Sequence, residues 1–517
     1  MNAQLTLALL PDFVVGVGAL LLLLWSAGKR DDDVAASRTA ALMAVGVCTA
    51  ALAAVGALAW RGAEDLVRAD GPVAADQFRW AGDAVILVGT ALSALLAGDF
   101  GRRERPVSGE ALALMLLSAS GMMLLAGARD LVLVFLGVEL TSIPVYVLAG
   151  MDRRSARSAE AALKYFLLGA FSTAFLLYGV ALVYGATGST NLASIGAQVA
   201  QSGPLPRLVF SLGVGFTLVG FAFKVAAAPF HMWTPDVYEG APTPFTAFMA
   251  AAVKAGAFAA FARVFLEAFG AIEIAQHWHQ VLWWIAVVTM VGGNVVALAQ
   301  RNVKRMLAYS SVAHAGYLVV ALVTNTGRGA SAIVFYLFAY TLATVGAFAV
   351  VEAVGGSTAG AQDLERWSGL FSVRPRLAAA MAVFMLALLG FPLAGGMGFF
   401  AKWYVLQAAL SAPAPQTRLA VVLVLASVVS AGYYLYLVAV MFMRRRPADA
   451  PELPATPAWT GGVVAACAVL LLLLGIYPTP AVRWSRAAAL TPAGSVTGPG
   501  FGPGAPSATA LAPAAAP

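Results

Sequence analysis

Charge is what this sequence has least of. Only 11% of its 517 residues are charged, where a soluble protein of this size carries about 25%. Cysteine is almost absent: Cys48 and Cys467 lie far apart, each inside an apolar run. That excludes a disulfide framework, an Fe–S ligand set and a cysteine-based metal site, and both read as small core residues. Histidine is nearly as scarce. Of four, only His314 falls inside a predicted span, so the paired axial ligands of a membrane haem are missing. No dinucleotide fingerprint and no flavin motif is present. The N-terminus has no basic region ahead of its first apolar run, which reads as a retained span rather than a signal peptide.

Apolar residues make up 61% of the chain, gathered in runs near 20 residues. That length suits helices crossing a hydrocarbon core of about 30 Å, not the alternating ten-residue strands of a barrel. The expectation is an all-α polytopic membrane protein of about 14 spans. They fall at 9–27, 39–60, 81–98, 110–128, 131–150, 159–185, 208–228, 243–266, 280–299, 304–324, 330–354, 377–400, 418–442 and 460–477. The net charge of +7 then belongs to loops at a bilayer surface, and nucleic acid is not an expected partner. Residues 487–517 form an Ala/Pro/Gly tail that reads as disordered.

Basic residues orient the bundle. Loops after odd-numbered spans hold 18 of them, among them Lys304 and Arg305. Loops after even-numbered spans, with the tail, hold 10, among them Arg79, Arg129 and Arg263. The positive-inside rule then puts the odd loops in the cytoplasm and both termini outside. The four remaining basic residues, Lys164, Lys224, Lys254 and Lys402, sit within or at the edge of spans. All are lysine, although the chain has 6 lysines against 26 arginines. Charge at that depth costs roughly 2.5–3.5 kcal/mol on insertion scales and marks function. Lysine, unlike arginine, can shed its proton in a dry site, so the bias suits a device that cycles between charged and neutral. The bland alternative is a lysine that snorkels to the interface, and it weighs most for Lys164 and Lys402.

The stretch Phe223–Pro244, FKVAAAPFHMWTPDVYEGAPTP, organises the rest. Lys224 enters it on span seven, Pro229 bends or ends the helix, and Lys254 follows on span eight. Their counterpart is Glu139, the one carboxylate near the middle of a predicted span. A Glu–Lys pair that separates and re-forms would take up and release protons. His314 has two readings of equal weight, a proton relay or a core histidine with satisfied hydrogen bonds. In span twelve, Pro392, Gly395, Gly396 and Gly398 interrupt LALLGFPLAGGMGFFAKWYV, and Lys402 follows. Breaks in spans seven and twelve, an odd number apart, predict two inverted five-helix repeats. The division is then 1–108 (helices 1–3), 109–267 (first repeat, helices 4–8), 268–443 (second repeat, helices 9–13), 444–486 (helix 14) and the tail.

The strings KVAAAPFHMWTPDVYEGAPTP and QRNVKRMLAYSSVAHAGYL resemble, in this order, the antiporter-like membrane subunits of respiratory complex I. These are related to multisubunit Mrp-type Na+/H+ antiporters. The likeness covers spans three to thirteen. It implies a proton-translocating subunit of a bacterial inner-membrane NADH–quinone oxidoreductase, with Glu139, Lys164, Lys224, Lys254 and Lys402 on the proton pathway. It implies no cofactor in this chain, with FMN, Fe–S clusters, NADH and quinone in partner subunits. The implied partners are the other membrane and peripheral subunits, including neighbouring antiporter-like ones, and lipid. Two rivals stand beside it: an Mrp-like cation/proton antiporter, and a structural membrane subunit whose charges only hold helices together.

Overall fold

The computed structural model describes residues 3–29, 33–62, 71–100, 106–200, 204–355, 362–392, 396–447, 452–453, 455–490 and 492. Gly395 and all of the predicted tail beyond Pro492 lie outside them. Among the described residues the chain is helical, with isolated bridges in place of any strand. Twelve helices are long and apolar enough to cross a membrane, and Leu10–Ser26 and Pro375–Leu389 add two shorter ones. The fourteen predicted spans are thus all present as helices.

We label them in chain order: α1 Leu10–Ser26, α2 Val34–Trp60, α3 Gln77–Phe100, α4 Gly109–Gly127, α5 Leu131–Ala149 and α6 Ala156–Thr187. Span seven is split into α7a (Pro204–Lys224) and α7b (Thr234–Gly240). Then come α8 Thr243–Ala268, α9 Ile272–Leu298, α10 Val303–Val323 and α11 Gly327–Gly355. Span twelve is split into α12a (Pro375–Leu389) and α12b (Met397–Leu410), followed by α13 Thr417–Met443, α14 Ala458–Ile476 and a short α15 Thr479–Ala487.

Inside a bilayer each backbone group must find a partner within the protein, so helix ends are capped with care. Ser108, Asp130, Ser155 and Asn302 each accept a backbone N–H at the start of α4, α5, α6 and α10. The residue before α14 is Pro457, with no side-chain acceptor. Asp99 at the end of α3 takes its place, accepting from Trp459 N (2.8 Å) and Thr460 N (3.2 Å).

The core is set by which helices lose contact with the outside. α8 is buried along the whole of its most apolar window and α10 and α11 along 94% of theirs, against 28% for α14. Lys254, His314 and Tyr340 are therefore central by virtue of the helices that carry them. Glycine brings helix backbones together at two matching places. A Cβ on Gly121 of α4 would lie 2.6 Å from Thr141 N of α5, and one on Gly293 of α9 2.7 Å from Ala313 N of α10. Such small-residue contacts replace the hydrophobic drive that lipid does not supply.

Several boundaries differ from the sequence expectation. Span seven stops at Lys224, not 228, because the Pro229 ring disfavours helix at the residues before it. Span nine starts at Ile272 rather than 280 and so takes in His279. Span twelve was expected to end at 400, yet α12b runs on to Leu410 and places Lys402 inside it. Arg79 and Arg263, expected in loops, lie within α3 and α8 and are 0% exposed; Lys304, also expected in a loop, is 1% exposed. Hydropathy windows place charged residues outside a span whenever they stand near its edge, whatever they touch.

Candidate functional site

α7a ends on Lys224, where Ala226 takes a left-handed conformation (φ 59°) and the chain turns away. The Phe223 carbonyl accepts from Ala226 N within the turn and from Trp233 Nε1 at 3.2 Å. Lys224 Nζ donates to Ser142 Oγ at 2.6 Å and Tyr146 OH at 3.3 Å, both on α5. Ser142 and Tyr146 follow Glu139 by three and seven residues, which puts all three on one face of α5. Glu139 itself is half-exposed. It forms no ion pair with Lys224 among the described residues; in place of the expected pair, Ser142, one turn along α5 from Glu139, holds the ammonium.

Lys254 follows a π-helical turn, Met249–Val253, and a second one, Val264–Ala268, closes α8. Such turns shift the register of a helix and recur at functional sites. The Lys254 side chain is buried, with Nζ on Ser311 O (2.6 Å) and Ser311 Oγ (2.5 Å) and 5.4 Å from the Tyr340 ring centroid.

From Ser311 the polar row runs along α10. His314 and Tyr317 follow at intervals of three and so line one face with it. Tyr336 OH lies 2.6 Å from His314 Nδ1, and Tyr434 OH 3.1 Å from Nε2. Tyr434 also bonds Ser310 Oγ. Both readings of His314 are thus compatible with its surroundings: a histidine with both ring nitrogens partnered, inside a chain of hydroxyls. Tyr317 OH accepts from Asn294 Nδ2 at 3.0 Å, and Asn294 Oδ1 accepts from Tyr433 OH at 2.9 Å.

Lys402 closes the row. Its Nζ lies 4.7 Å from the Tyr317 ring centroid and donates to Leu389 O at 2.8 Å. Leu389 is the last residue of α12a, so the ammonium sits at the negative end of a half-helix and satisfies a carbonyl the break sets free. Gly390 takes the left-handed turn there, φ 76°. Across the row, the ammonium groups of Lys224, Lys254 and Lys402 meet hydroxyls, carbonyls and ring faces, and none pairs with a carboxylate of the described residues.

Lys164 stands apart from this row. Its side chain is 42% exposed and pairs with Glu160 and Asp236, each at 2.6 Å. Asp236 and Glu239 also hold Arg305 at 2.7 and 2.9 Å. The result is an ion cluster on the odd-loop side, the arrangement expected of a lysine that reaches for the interface. Next to it, a cavity of about 460 Å³ opens among Arg157, Glu239, Lys304, Arg305 and Asp363.

A second cluster, not foreseen from sequence, lies at the even-loop end. Arg263 donates to both oxygens of Asp76 (2.8 Å each), to Glu267 (2.6 Å) and to the carbonyl of Ala126 (2.9 Å). Arg79 bonds Asp12 at 2.5 Å and the Ala74 carbonyl at 2.8 Å. Burial by itself would raise the Asp76 carboxyl, yet the Arg263 guanidinium, with Arg129 behind it, holds it down at about 2. The only sequence signal was the spacing Asp76-x-x-Arg79-x-x-x-Asp83 at the mouth of an apolar run. Among the described residues no group of three or more metal-ligating side chains occurs.

Two broken helices around a buried lysine row define a class, the antiporter-like membrane subunits, and residues 128–432 match the family model described as NADH:quinone oxidoreductase/Mrp antiporter, TM. At 54% identity over 96% of this chain and 95% of its relative, the chain is similar to NADH-quinone oxidoreductase subunit N of Gemmatimonas aurantiaca; a subunit N 1 from Sorangium cellulosum is 43% identical over 92% and 96%. The chain belongs to the NADH-quinone oxidoreductase subunit N family. Among solved structures it resembles a chain of respiratory complex I from Thermus thermophilus with bound Aureothin, at 37% identity and TM-score 0.76, covering 93% of this chain and all of that one. A chain of the Mrp complex from Dietzia sp. DQ12-45-1b shares the fold, with TM-score 0.79 at 22% identity over 94% and 97%.

Proposed function

We propose that this chain moves protons through a bacterial inner-membrane NADH–quinone oxidoreductase along Glu139, Lys224, Lys254, His314 and Lys402. The observation that carries the reading is the row itself: three span lysines bonded only to neutral oxygens, with a histidine and its tyrosines between two of them. An ammonium held that way has no fixed counter-charge to keep its proton, so small changes nearby decide whether it stays charged. Water fills the stretch between Lys224 and Lys254. NADH, FMN, Fe–S clusters and quinone are held by partner subunits, whose redox work reaches this chain as a change of field. Glu139, half-exposed beside Leu136, Leu140 and Ile143, faces a neighbouring membrane subunit, since a carboxylate turned to lipid is too costly.

The paired breaks, and the matching Gly121 and Gly293 contacts, support two inverted repeats, 109–267 and 268–443. With odd loops cytoplasmic and both termini outside, the cavity beside Glu239 and Lys304 is the inward mouth. Lys164 then belongs to the rim of that mouth. A cation/proton antiporter would use the same lysines, and the 54% identity to a subunit N favours the respiratory enzyme.

The test is proton flux in the reconstituted complex with Lys224, Lys254 and Lys402 replaced singly. Loss of flux with assembly intact supports the pathway. Variants that assemble poorly in step with their loss of flux leave only the structural role. Cysteines placed beside each break, in a background without Cys48 and Cys467, should label from opposite faces; labelling from one face refutes the inverted repeats.

A further inference from the structure

The cluster at the even-loop end holds more acid than base. Among the described residues three guanidiniums, Arg79, Arg129 and Arg263, are tied to four carboxylates, Asp12, Asp76, Asp83 and Glu267. The surplus is not shared evenly. Asp76 and Glu267 each meet both Arg129 and Arg263, and Asp12 takes the nearest nitrogen of Arg79. Asp83 is left over. Its side chain is 0% exposed and, among the described residues, both its oxygens lack a hydrogen-bond partner. The closest approach is Arg79 Nε at 3.5 Å, well beyond the about 2.7–2.9 Å of a charge-assisted bond.

We propose that Asp83 carries a proton in the folded protein, as a proton-binding site on the even-loop side that the lysine row does not include. An ionised carboxylate has no donors of its own and accepts at both oxygens; with neither satisfied in a dry site, the neutral acid is the form the surroundings support. The charged groups that face it are Arg79 on its own helix, Asp12 of α1, Arg263 of α8 and Asp76 of the α2–α3 linker. Asp12 holds the terminal nitrogen of Arg79 and leaves Asp83 only a distant Nε, so the two acids compete for this guanidinium, and whichever stands farther off keeps the proton. Asp12 is 11% exposed, which gives that proton a route to water. The proposal stands whether or not the lysine row conducts.

Infrared difference spectra of the purified complex test it, through the C=O stretch of a protonated carboxyl group. Asp83→Asn should remove one such band while assembly and thermal stability match the wild type, since a neutral amide replaces a neutral acid. Asp83→Glu should shift the band without removing it. Asp12→Asn should also remove it, although Asp83 remains, because the freed guanidinium now pairs with an ionised Asp83. A band that survives Asp83→Asn or Asp12→Asn overturns the proposal. So does an Asp83→Asn complex that assembles as poorly as one with Asp76→Asn, for that would show a paired, ionised Asp83.

Discussion

Arg263 and Lys254 stand on one helix, nine residues and about 13.5 Å apart, and their surroundings differ in kind. Arg263 spends its donors on two carboxylates and a carbonyl; Lys254 spends its donors on one serine. The first arrangement fixes a charge, because guanidinium never deprotonates and the Asp76 carboxyl is held ionised beside it. The second leaves a charge negotiable. On the proposed reading, residues of one sign, at similar burial, thus serve as a clamp at one end of α8 and as an exchangeable site at its middle. What separates them is the partner, not the depth.

Breaking the clamp should have the largest effect. Arg263→Gln leaves Asp76 and Glu267 without their main partner, a loss of about 3–5 kcal/mol for a buried pair. The yield of assembled complex and its thermal unfolding should both fall. An assembly-competent Arg263→Gln with normal stability would erase the distinction.

Lys254→Met should do the opposite. No carboxylate is orphaned, so assembly is expected to stay near wild type, while proton flux drops about a hundredfold or more, the scale of a lost acid–base group. Flux and quinone reduction measured in proteoliposomes on the same preparation check both halves.

Lys224→Arg sharpens the comparison by placing a clamp-type cation in the row. Charge is kept and exchange is lost, so assembly should hold and most of the flux should go. Wild-type flux would sink the titration argument.

Glu139 and Lys224 give a smaller effect. Since Ser142 rather than Glu139 receives the ammonium, the stability coupling in a Glu139→Gln/Lys224→Met cycle should lie well below the about 3–5 kcal/mol of a broken buried pair. A coupling of that full size would mean the two close on each other in the assembled enzyme.

The smallest effect concerns acid. The Asp76 carboxyl is depressed to about 2, from an ordinary value of about 3.9. Its contribution is therefore complete above pH ~4 and lost as pH falls through about 2. Acidification from pH 7 to 5 should leave this clamp untouched, read as unchanged assembly of the wild type over that range.

The row was legible before the structure because lysine at depth is rare and hydropathy exposes it. Lys224 and Lys254 lie on the helices expected to carry them, Lys402 lies inside a half-helix that runs past its expected end, and both helix breaks were marked by proline or glycine. The clamp was not legible. Arg79 and Arg263 stand near span edges, where a sliding window cannot tell a residue that points to water from one that points inward. The partners that close the cluster, Asp12 for Arg79 and Asp76 and the Ala126 carbonyl for Arg263, lie far away in sequence, and the local spacings to Asp83 and Glu267 do not announce them. The partner of Lys164 was no more legible: Asp236 lies 72 positions on, beyond the reach of spacing arguments. The two π turns of α8, Met249–Val253 and Val264–Ala268, have no sequence signature in an alanine-rich helix.

Asp99 carries a consequence for how the chain is made. α14 begins after Pro457 with no side-chain cap of its own, and among the described residues the Trp459 and Thr460 amides are satisfied by a side chain at the far end of α3. This span therefore cannot settle into lipid on its own terms; it waits for a carboxylate delivered more than three hundred residues earlier. That makes α3–α14 docking a step of biogenesis: a chain lacking Asp99 is expected to fail in insertion and assembly before any proton path is formed.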